Sequence, residues 1–336
     1  MDLLKKSVLN SSPFFWQFIR DYALHKRFIT YLSLNQDSKC DANCQGCFRY
    51  PNRRNGLSHL LEMSDYIRLL DEFKRYGGLA VEISGEGEPL LPETNTLPII
   101  CHASKLGLWT TLITNGHALT ASLIEELKDL RVSLIISLHS LKKEIYEGDN
   151  GCPNSFVITM NAIDMVSRIF QGTSWKENGR EIKRAAIHWT VQRNNLDEIM
   201  PARKFCNEKG LHFSIAPLAN VGSAIEYTEI QLPSDFSNLD EINARGDESI
   251  IFYKEPDGRK VCGTCRYGLN ISADGQILLD AHGGYEAELP NIRDISFKEA
   301  INLQHVFSKK MFANLNHFCP VRDPRWQTFL TSEEYL

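Results

Sequence analysis

The sequence predicts an α/β protein: a partial (β/α)6 TIM-like barrel followed by a smaller C-terminal α+β domain. Three observations predict it. Between Phe28 and Pro217, short β-prone runs alternate with segments whose apolar residues recur at helical spacing, the pattern of a parallel sheet covered by helices. Polar or glycine-rich residues stand where these runs end, and the C-terminal ends of the strands are the working face of such a barrel. Beyond about Asn220 the helical period is lost and turn residues become frequent, so a second unit is expected there. The expected division is 1–27, a helical extension; 28–220, the barrel; and 221–336, the smaller domain.

Taken in order, Ser11 to Arg27 reads as an amphipathic helix, with Phe14, Phe15, Phe18 and Ile19 against Arg20, Lys26 and Arg27, lying on an edge of the barrel. Strand one is Phe28 to Asn35. A helix capped by Ser64 runs to Tyr76, with Tyr66, Leu69, Leu70 and Phe73 on one face. Strand two is Leu79 to Ser84, and a helix from Leu97 to Lys105 ends at Gly107. Strand three, Leu108 to Thr114, stops at Asn115-Gly116. Thr120 opens a helix striped by Leu123, Ile124, Leu127 and Leu130. Strand four is Val132 to Leu138, and a loop with Gly148, Gly151 and Pro153 leads to a helix from Ser155 to Phe170. A polar connection, Gln171 to Glu181, precedes strand five, Arg184 to Val191. Asn195 starts a helical stretch that Pro201 kinks or restarts and Gly210 ends. Strand six is Leu211 to Pro217.

With 336 residues, 43% hydrophobic and 24% charged, the chain has the composition of an ordinary globular protein. Its net charge of -5 gives no overall pull toward nucleic acid or anionic lipid. Local basic groups exist at Arg49, Arg53 and Arg54 and at Arg322 and Arg325. Nine cysteines without a secretory leader predict a reducing, cytoplasmic compartment. No apolar run approaches the ~20 residues of a membrane span.

The chemistry centres on Cys40, Cys44 and Cys47, spaced CxxxCxxC directly after strand one. Such spacing lets one loop fold three soft thiolates around an iron–sulfur cube while leaving its fourth iron open. The alternatives are a zinc knot short of a ligand or buried free cysteines. At the end of strand two stands Ser84-Gly85-Glu86-Gly87-Glu88-Pro89, whose glycines let backbone approach a ligand closely. Asn115 ends strand three, Ser137 and His139 end strand four, and Gln192 ends strand five. Each of these taken singly could be a strand terminus or a helix cap. Cys262-Gly263-Thr264-Cys265 precedes a hairpin whose turn is Asp274-Gly275, a pairing that points to metal or redox chemistry.

The triplet and the Gly85–Pro89 turn together resemble the radical S-adenosylmethionine (radical SAM) enzymes. That resemblance implies a 4Fe-4S cluster on Cys40, Cys44 and Cys47, with S-adenosylmethionine on the open iron. It implies cofactor contacts from Gly85, Glu86, Gly87, Glu88, Pro89, Asn115, Ser137, His139 and Gln192. The residue before the last cysteine, often aromatic in the family, is Gly46 here, and Phe48 follows. Cys262, Cys265 and the stretch from Asn270 to Asp294 resemble the auxiliary-cluster domains called SPASM and twitch, with Asp280 where those families place a cysteine. With Cys319, these residues are expected to hold one auxiliary 4Fe-4S cluster; a zinc site or a metal-free domain are the alternatives. The implied reaction is hydrogen abstraction from a small-molecule substrate by a 5'-deoxyadenosyl radical, leading to oxidation or epimerisation. Cys152 is the candidate hydrogen-atom donor for epimerisation. An external donor such as flavodoxin or ferredoxin is expected to supply the electron. Peptide maturation is the second reading, and an RNA-binding protein with structural metal sites is disfavoured by the acidic balance.

Overall fold

The computed structural model describes residues 29, 31–36, 39–49, 57, 59–130, 132–177, 180–232, 252–254, 260–280, 289–315, 319–320, 323 and 325–331. The expected helix at 11–27 and Arg53, Arg54 and Arg322 lie outside them. Strands β1 (Tyr31–Asn35), β2 (Ala80–Ser84), β3 (Trp109–Thr114) and β4 (Val132–Ser137) lie side by side and parallel. A short antiparallel hairpin, β5 (Trp175–Glu177) and β6 (Arg180–Ile182), occupies the expected polar connection. Strands β7 (Ala185–Val191) and β8 (His212–Pro217) complete the six-stranded parallel run. The sheet is unclosed, as in the expected partial barrel.

Its outer face is covered by α1 (Met63–Arg75), α2 (Thr96–Lys105), α3 (Ala121–Asp129), α5 (Ser155–Ile169) and α6 (Ile199–Glu208), with α4 (Lys143–Asn150) placed at the strand ends between β4 and α5. α1 shows why these segments are helices. Tyr66, Leu69, Leu70 and Phe73 recur at the 3.6-residue period and are all buried. Its start is set by Glu62, whose N–H donates to Asp65 Oδ2 at 3.0 Å, two residues ahead of the cap expected at Ser64. Pro201 sits in the first turn of α6, where its missing N–H costs nothing, so it starts the helix without kinking it.

Strand periodicity divides the sheet into two unlike faces. Leu32, Leu34, Val81, Ile83, Leu112, Leu134, Ile187 and Trp189 point outward into the main core with the helices. Each contributes roughly 1.5–3 kcal/mol by burial. The other parity is mixed: Ser33 pairs in register with Glu82, Glu82 with Thr111, and Thr111 with Ser133, beside a small apolar group of Ile113, Ile135 and Ala186. The helix layer therefore holds the sheet together, and the inner face is free to carry polar groups.

The C-terminal segment contributes β9 (Phe252–Lys254), β10 (Lys260–Cys262), α7 (Gly263–Tyr267), β11 (Gly268–Ile271), β12 (Ile277–Leu278), α8 (Phe297–Asn314) and α9 (Trp326–Thr331). β11 pairs in parallel with β1, placing Asn270 beside Ser33, so this segment extends the barrel sheet at its first strand. β11 and β12 form the expected hairpin, with Gly275 at φ 88 in the turn. Among the described residues, no helix is long and apolar enough to cross a membrane.

Candidate functional site

The three N-terminal cysteines lie in a loop that leaves β1 and is tied down by three separate segments. Asn43 and Gln45 N–H donate to the carbonyls of Asn150 and Asp149, both at 2.8 Å, at the end of α4. Glu88 N–H donates to Lys39 O at 2.8 Å, and Ser223 N–H to Cys47 O at 2.9 Å. The sulfurs of Cys40 and Cys47 each accept a backbone N–H, from Ala42 and from Arg49, at 3.4 Å. Such bonds favour thiolate, the form that ligates a cluster. Burial pushes the Cys40 thiol up to about 12. Burial, then the charges of Asp149, Cys47 and Cys40, hold Cys44 well above the ordinary thiol range. Three thiols this close resist joint ionisation until a metal charge reverses the balance, so the donor set fits an iron–sulfur cluster.

The turn after β2 braces this loop. A Cβ on Gly85 would stand 2.0 Å from Gly87 O, so only glycine closes it. Glu88, 3% exposed, accepts from Thr114 Oγ1 at 2.6 Å, Asn115 N at 2.8 Å and Leu90 N at 3.0 Å, joining the ends of β2 and β3. Glu86 is 1% exposed and accepts from Ala273 N at 3.3 Å, a link to the C-terminal hairpin. Pro89 O accepts from Thr94 Oγ1 at 2.6 Å. The two carboxylates thus brace the turn, Glu88 against the end of β3 and Glu86 against the C-terminal hairpin.

Asn115 does more than end β3. Its Nδ2 donates to Asp41 Oδ1 at 2.7 Å, and His117 Nδ1 meets Asp41 Oδ2 at 2.7 Å, fixing the residue between the first two cysteines. His117 stands two positions after the Asn115-Gly116 signal and is the clue that sequence reading passed over. Ser137, half-buried, pairs with His188. The Nδ1 atom of His139 is buried with no hydrogen-bond partner, and burial lowers its basicity against the nearby Asp149 charge. Asp149 Oδ2 and Asn150 Oδ1 are likewise buried and unmatched. Orphaned polar atoms are costly, and here they lie at the strand ends beside the cluster loop, where a polar cofactor would satisfy them.

Gln192 is 1% exposed and donates from Nε2 to Asp149 Oδ1 at 3.2 Å. It crosses directly over Gly46, where a Cβ would stand 2.6 Å from Gln192 Nε2 and 3.2 Å from Leu218 Cδ1. These contacts leave little room for a side chain at Gly46. Gly46→Ala is expected to lower iron loading about two- to fivefold by displacing Gln192, at a cost of ~1 kcal/mol. Gln192→Ala in the same chain should restore part of it; iron analysis of both proteins reads the coupling, and equal loading of wild type and Gly46→Ala would refute it. Cys152 is half-buried in the turn after α4. Its neighbour Gly151, at φ 68, lies against Asn43, with 3.2 Å between a notional Cβ and Asn43 O. Cys152 is therefore beside the cluster loop.

On the inner face of the sheet, Glu82 is 8% exposed and accepts from Tyr31 and Ser33 hydroxyls. His188 Nδ1 meets Ser214 Oγ at 3.2 Å. Asn270 is 1% exposed, and neither end of its amide finds a partner. Exposure rises toward the C-terminal ends, where Ile113, Ser137, His188 and Thr190 are partly open. A polar surface thus opens toward the face that bears the cysteine loop.

The second set of donors is gathered from the C-terminal segment. Ligand atoms of Cys262, Cys265 and Asp280 all lie within 4.8 Å of one another. Cys265 Sγ donates to Asp280 Oδ2 at 2.5 Å, and Cys262 Sγ meets Thr264 Oγ1 at 3.1 Å. Cys319, 4% exposed, hydrogen-bonds to Cys262. Contacts with Cys265 and Cys319 hold Cys262 well below the ordinary thiol value, while burial raises Cys265. Cys262, Cys265 and Asp280 meet here, and Cys319 touches the group through Cys262. Cys206 is buried on α6, and burial pushes its thiol up to about 12.

Residues 38–174 match the sequence family described as the Radical SAM superfamily. An AdoMet-dependent heme synthase of Methanosarcina barkeri is 25% identical over 205 residues, covering 60% of this chain and 53% of that protein. The chain thus spans about half the length of that relative. A GTP 3',8-cyclase of Ectopseudomonas mendocina is 23% identical over 283 residues, covering 75% of this chain and 79% of that protein. Among solved structures, SuiB of Streptococcus suis bound to precursor peptide SuiA superposes with a TM-score of 0.64 at 18% identity, covering 86% of this chain and 68% of that one. At that identity the likeness bears on fold, and the fold is the same unclosed barrel. Residues 38–174 of the chain thus carry a domain similar to the radical SAM superfamily.

Proposed function

We propose that the chain cleaves S-adenosylmethionine at a 4Fe-4S cluster on Cys40, Cys44 and Cys47 and takes a hydrogen atom from a small polar molecule held on the inner face of the barrel. When bound, cluster and S-adenosylmethionine together supply a hydrogen-abstracting carbon radical. The chain's own residues orient the groups that meet it. Asn115 and His117 fix Asp41, and Glu88 fixes the turn after β2. His139, Asp149 and Asn150 offer unmatched polar atoms to the nucleoside side. The observation that carries the substrate reading is Asn270. A buried amide with both ends unpartnered, in register with Ser33 and one strand from Glu82, is suited to a hydroxyl- or ammonium-bearing ligand.

The reaction is an oxidation or an epimerisation. Epimerisation uses Cys152 as hydrogen-atom donor, and the sulfur radical left behind then needs one electron and one proton from an external reductant such as flavodoxin or ferredoxin. Residues 221–336 serve as the auxiliary domain, and the protein works in the cytoplasm. A peptide substrate is the second reading, supported by the fold shared with SuiB, which was solved with its precursor peptide.

The test is anaerobic reconstitution followed by reaction with dithionite and S-adenosylmethionine. About four irons at the N-terminal site and formation of 5'-deoxyadenosine are expected. Mass spectrometry should find deuterium in that product when deuterated amino sugars or polyols are supplied, and none with deuterated peptides. Iron-loaded protein that forms no 5'-deoxyadenosine would overturn the reading; transfer from peptides alone would replace the substrate class.

A further inference from the structure

We propose that Cys262, Cys265, Asp280 and Cys319 hold one tetrahedral divalent ion, with zinc as the expected species, and not a second iron–sulfur cluster. Around a single ion, bonds of about 2.3 Å to thiolate and about 2.0 Å to carboxylate set tetrahedral donors roughly 3.5–3.8 Å apart. A cube places each thiolate on its own iron and aims it outward, so terminal sulfurs stand roughly 6 Å apart. The 4.8 Å limit that encloses Cys262, Cys265 and Asp280 admits the first arrangement and not the second. Among the described residues this is the one set of three such donors gathered so tightly. Cys40, Cys44 and Cys47 sense one another's charge without being so gathered, as a cube requires. The two sites thus differ in how tightly their donors are gathered.

Donor chemistry agrees with the spacing. Zinc takes mixed thiolate and carboxylate sets readily, whereas clusters favour thiolate throughout. Seating the ion requires the 2.5 Å contact between Cys265 Sγ and Asp280 Oδ2 to open by about 1 Å as its proton leaves. A cube would require several times that opening. Cys319 reaches this group through its hydrogen bond to Cys262, and as the fourth donor it would leave no open position, which is the mark of a structural site. Cys262 ends β10, Cys265 lies in α7, Asp280 follows β12, and Cys319 follows α8. The ion would bind these segments together around β11, and β11 is the neighbour of β1, the strand that leads into the cluster loop.

This inference is independent of the reaction chemistry, and metal analysis tests it. Wild-type protein, isolated anaerobically from zinc-replete medium and reconstituted with iron and sulfide, should contain about four irons and about one zinc per chain. The zinc absorption edge should fit three sulfurs and one oxygen. The triple variant Cys40→Ala/Cys44→Ala/Cys47→Ala should keep the zinc and lose the iron. Cys262→Ser/Cys265→Ser should lose the zinc. Eight irons in the wild type, or four in the triple variant, would overturn the proposal, as would a zinc-free wild type. If the triple variant does not fold, the wild-type count and absorption edge still decide.

Discussion

Cys44→Ala is expected to reduce 5'-deoxyadenosine formation to background, at least about a thousandfold, and to remove about four irons per chain. Cys44 is the middle of the three thiols. Its sulfur is raised well above the ordinary range by burial and by Asp149, Cys47 and Cys40. A group so placed becomes thiolate only against a metal charge, and the two remaining sulfurs cannot hold a cube without it. The loop itself should survive the change. Asn43 and Gln45 remain bound to the carbonyls at the end of α4 through backbone groups that the substitution does not touch. Cys101→Ala, on α2 and away from the strand ends, serves as the control and should load iron as the wild type does. Iron analysis with quantitation of 5'-deoxyadenosine reads both proteins. Activity retained in Cys44→Ala would remove Cys44 from the ligand set.

The strand and helix order was legible in the sequence because the outer face is apolar at regular spacing. Leu32, Leu34, Val81 and Ile83 alternate with polar residues, and Tyr66, Leu69, Leu70 and Phe73 repeat at the helical period. The cysteine triplet was legible because its ligands fall within eight residues. What escaped was of two kinds. α4 read as a loop because it contains Gly148 and buries Asp149 and Asn150 along with Tyr146, so its hidden face carries almost no apolar signal. The position of β11 escaped because a parallel pairing between Tyr31–Leu34 and Gly268–Ile271 leaves no trace in local sequence. The parity of the sheet held the rest: Ser33, Glu82, Thr111 and Asn270 were visible as single polar residues, and only the register gathers them on one face. The sequence could single out Cys262, Cys265 and Asp280, but only the fold shows that their ligand atoms lie within 4.8 Å of one another.

The last consequence concerns a residue placed by the sequence at the boundary between the barrel and the C-terminal segment. Gly222 adopts φ 61 in a single helical turn, Gly222–Ile225, that lies directly under the far end of the cysteine loop. A Cβ there would stand 2.2 Å from Phe48 O, 2.3 Å from Phe48 C and 2.7 Å from Cys47 O. These are backbone atoms, which cannot rotate away as a side chain can. The next residue supplies the anchor, since Ser223 N–H donates to Cys47 O at 2.9 Å and its Oγ to Arg49 O at 3.0 Å. Gly222→Ala combines an unfavourable backbone region with an overlap, together about 3 kcal/mol or more. The strain is relieved by moving the loop off the turn, which breaks the Ser223 contacts and shifts Cys47 from its partners. Iron loading and 5'-deoxyadenosine formation are both expected to fall at least tenfold, with far-UV circular dichroism unchanged. Ser223→Ala removes one hydroxyl bond, costs about 1 kcal/mol, and should keep most of its iron. Full loading of Gly222→Ala would mean that the loop is held in place by α4 and the turn after β2 without support from below.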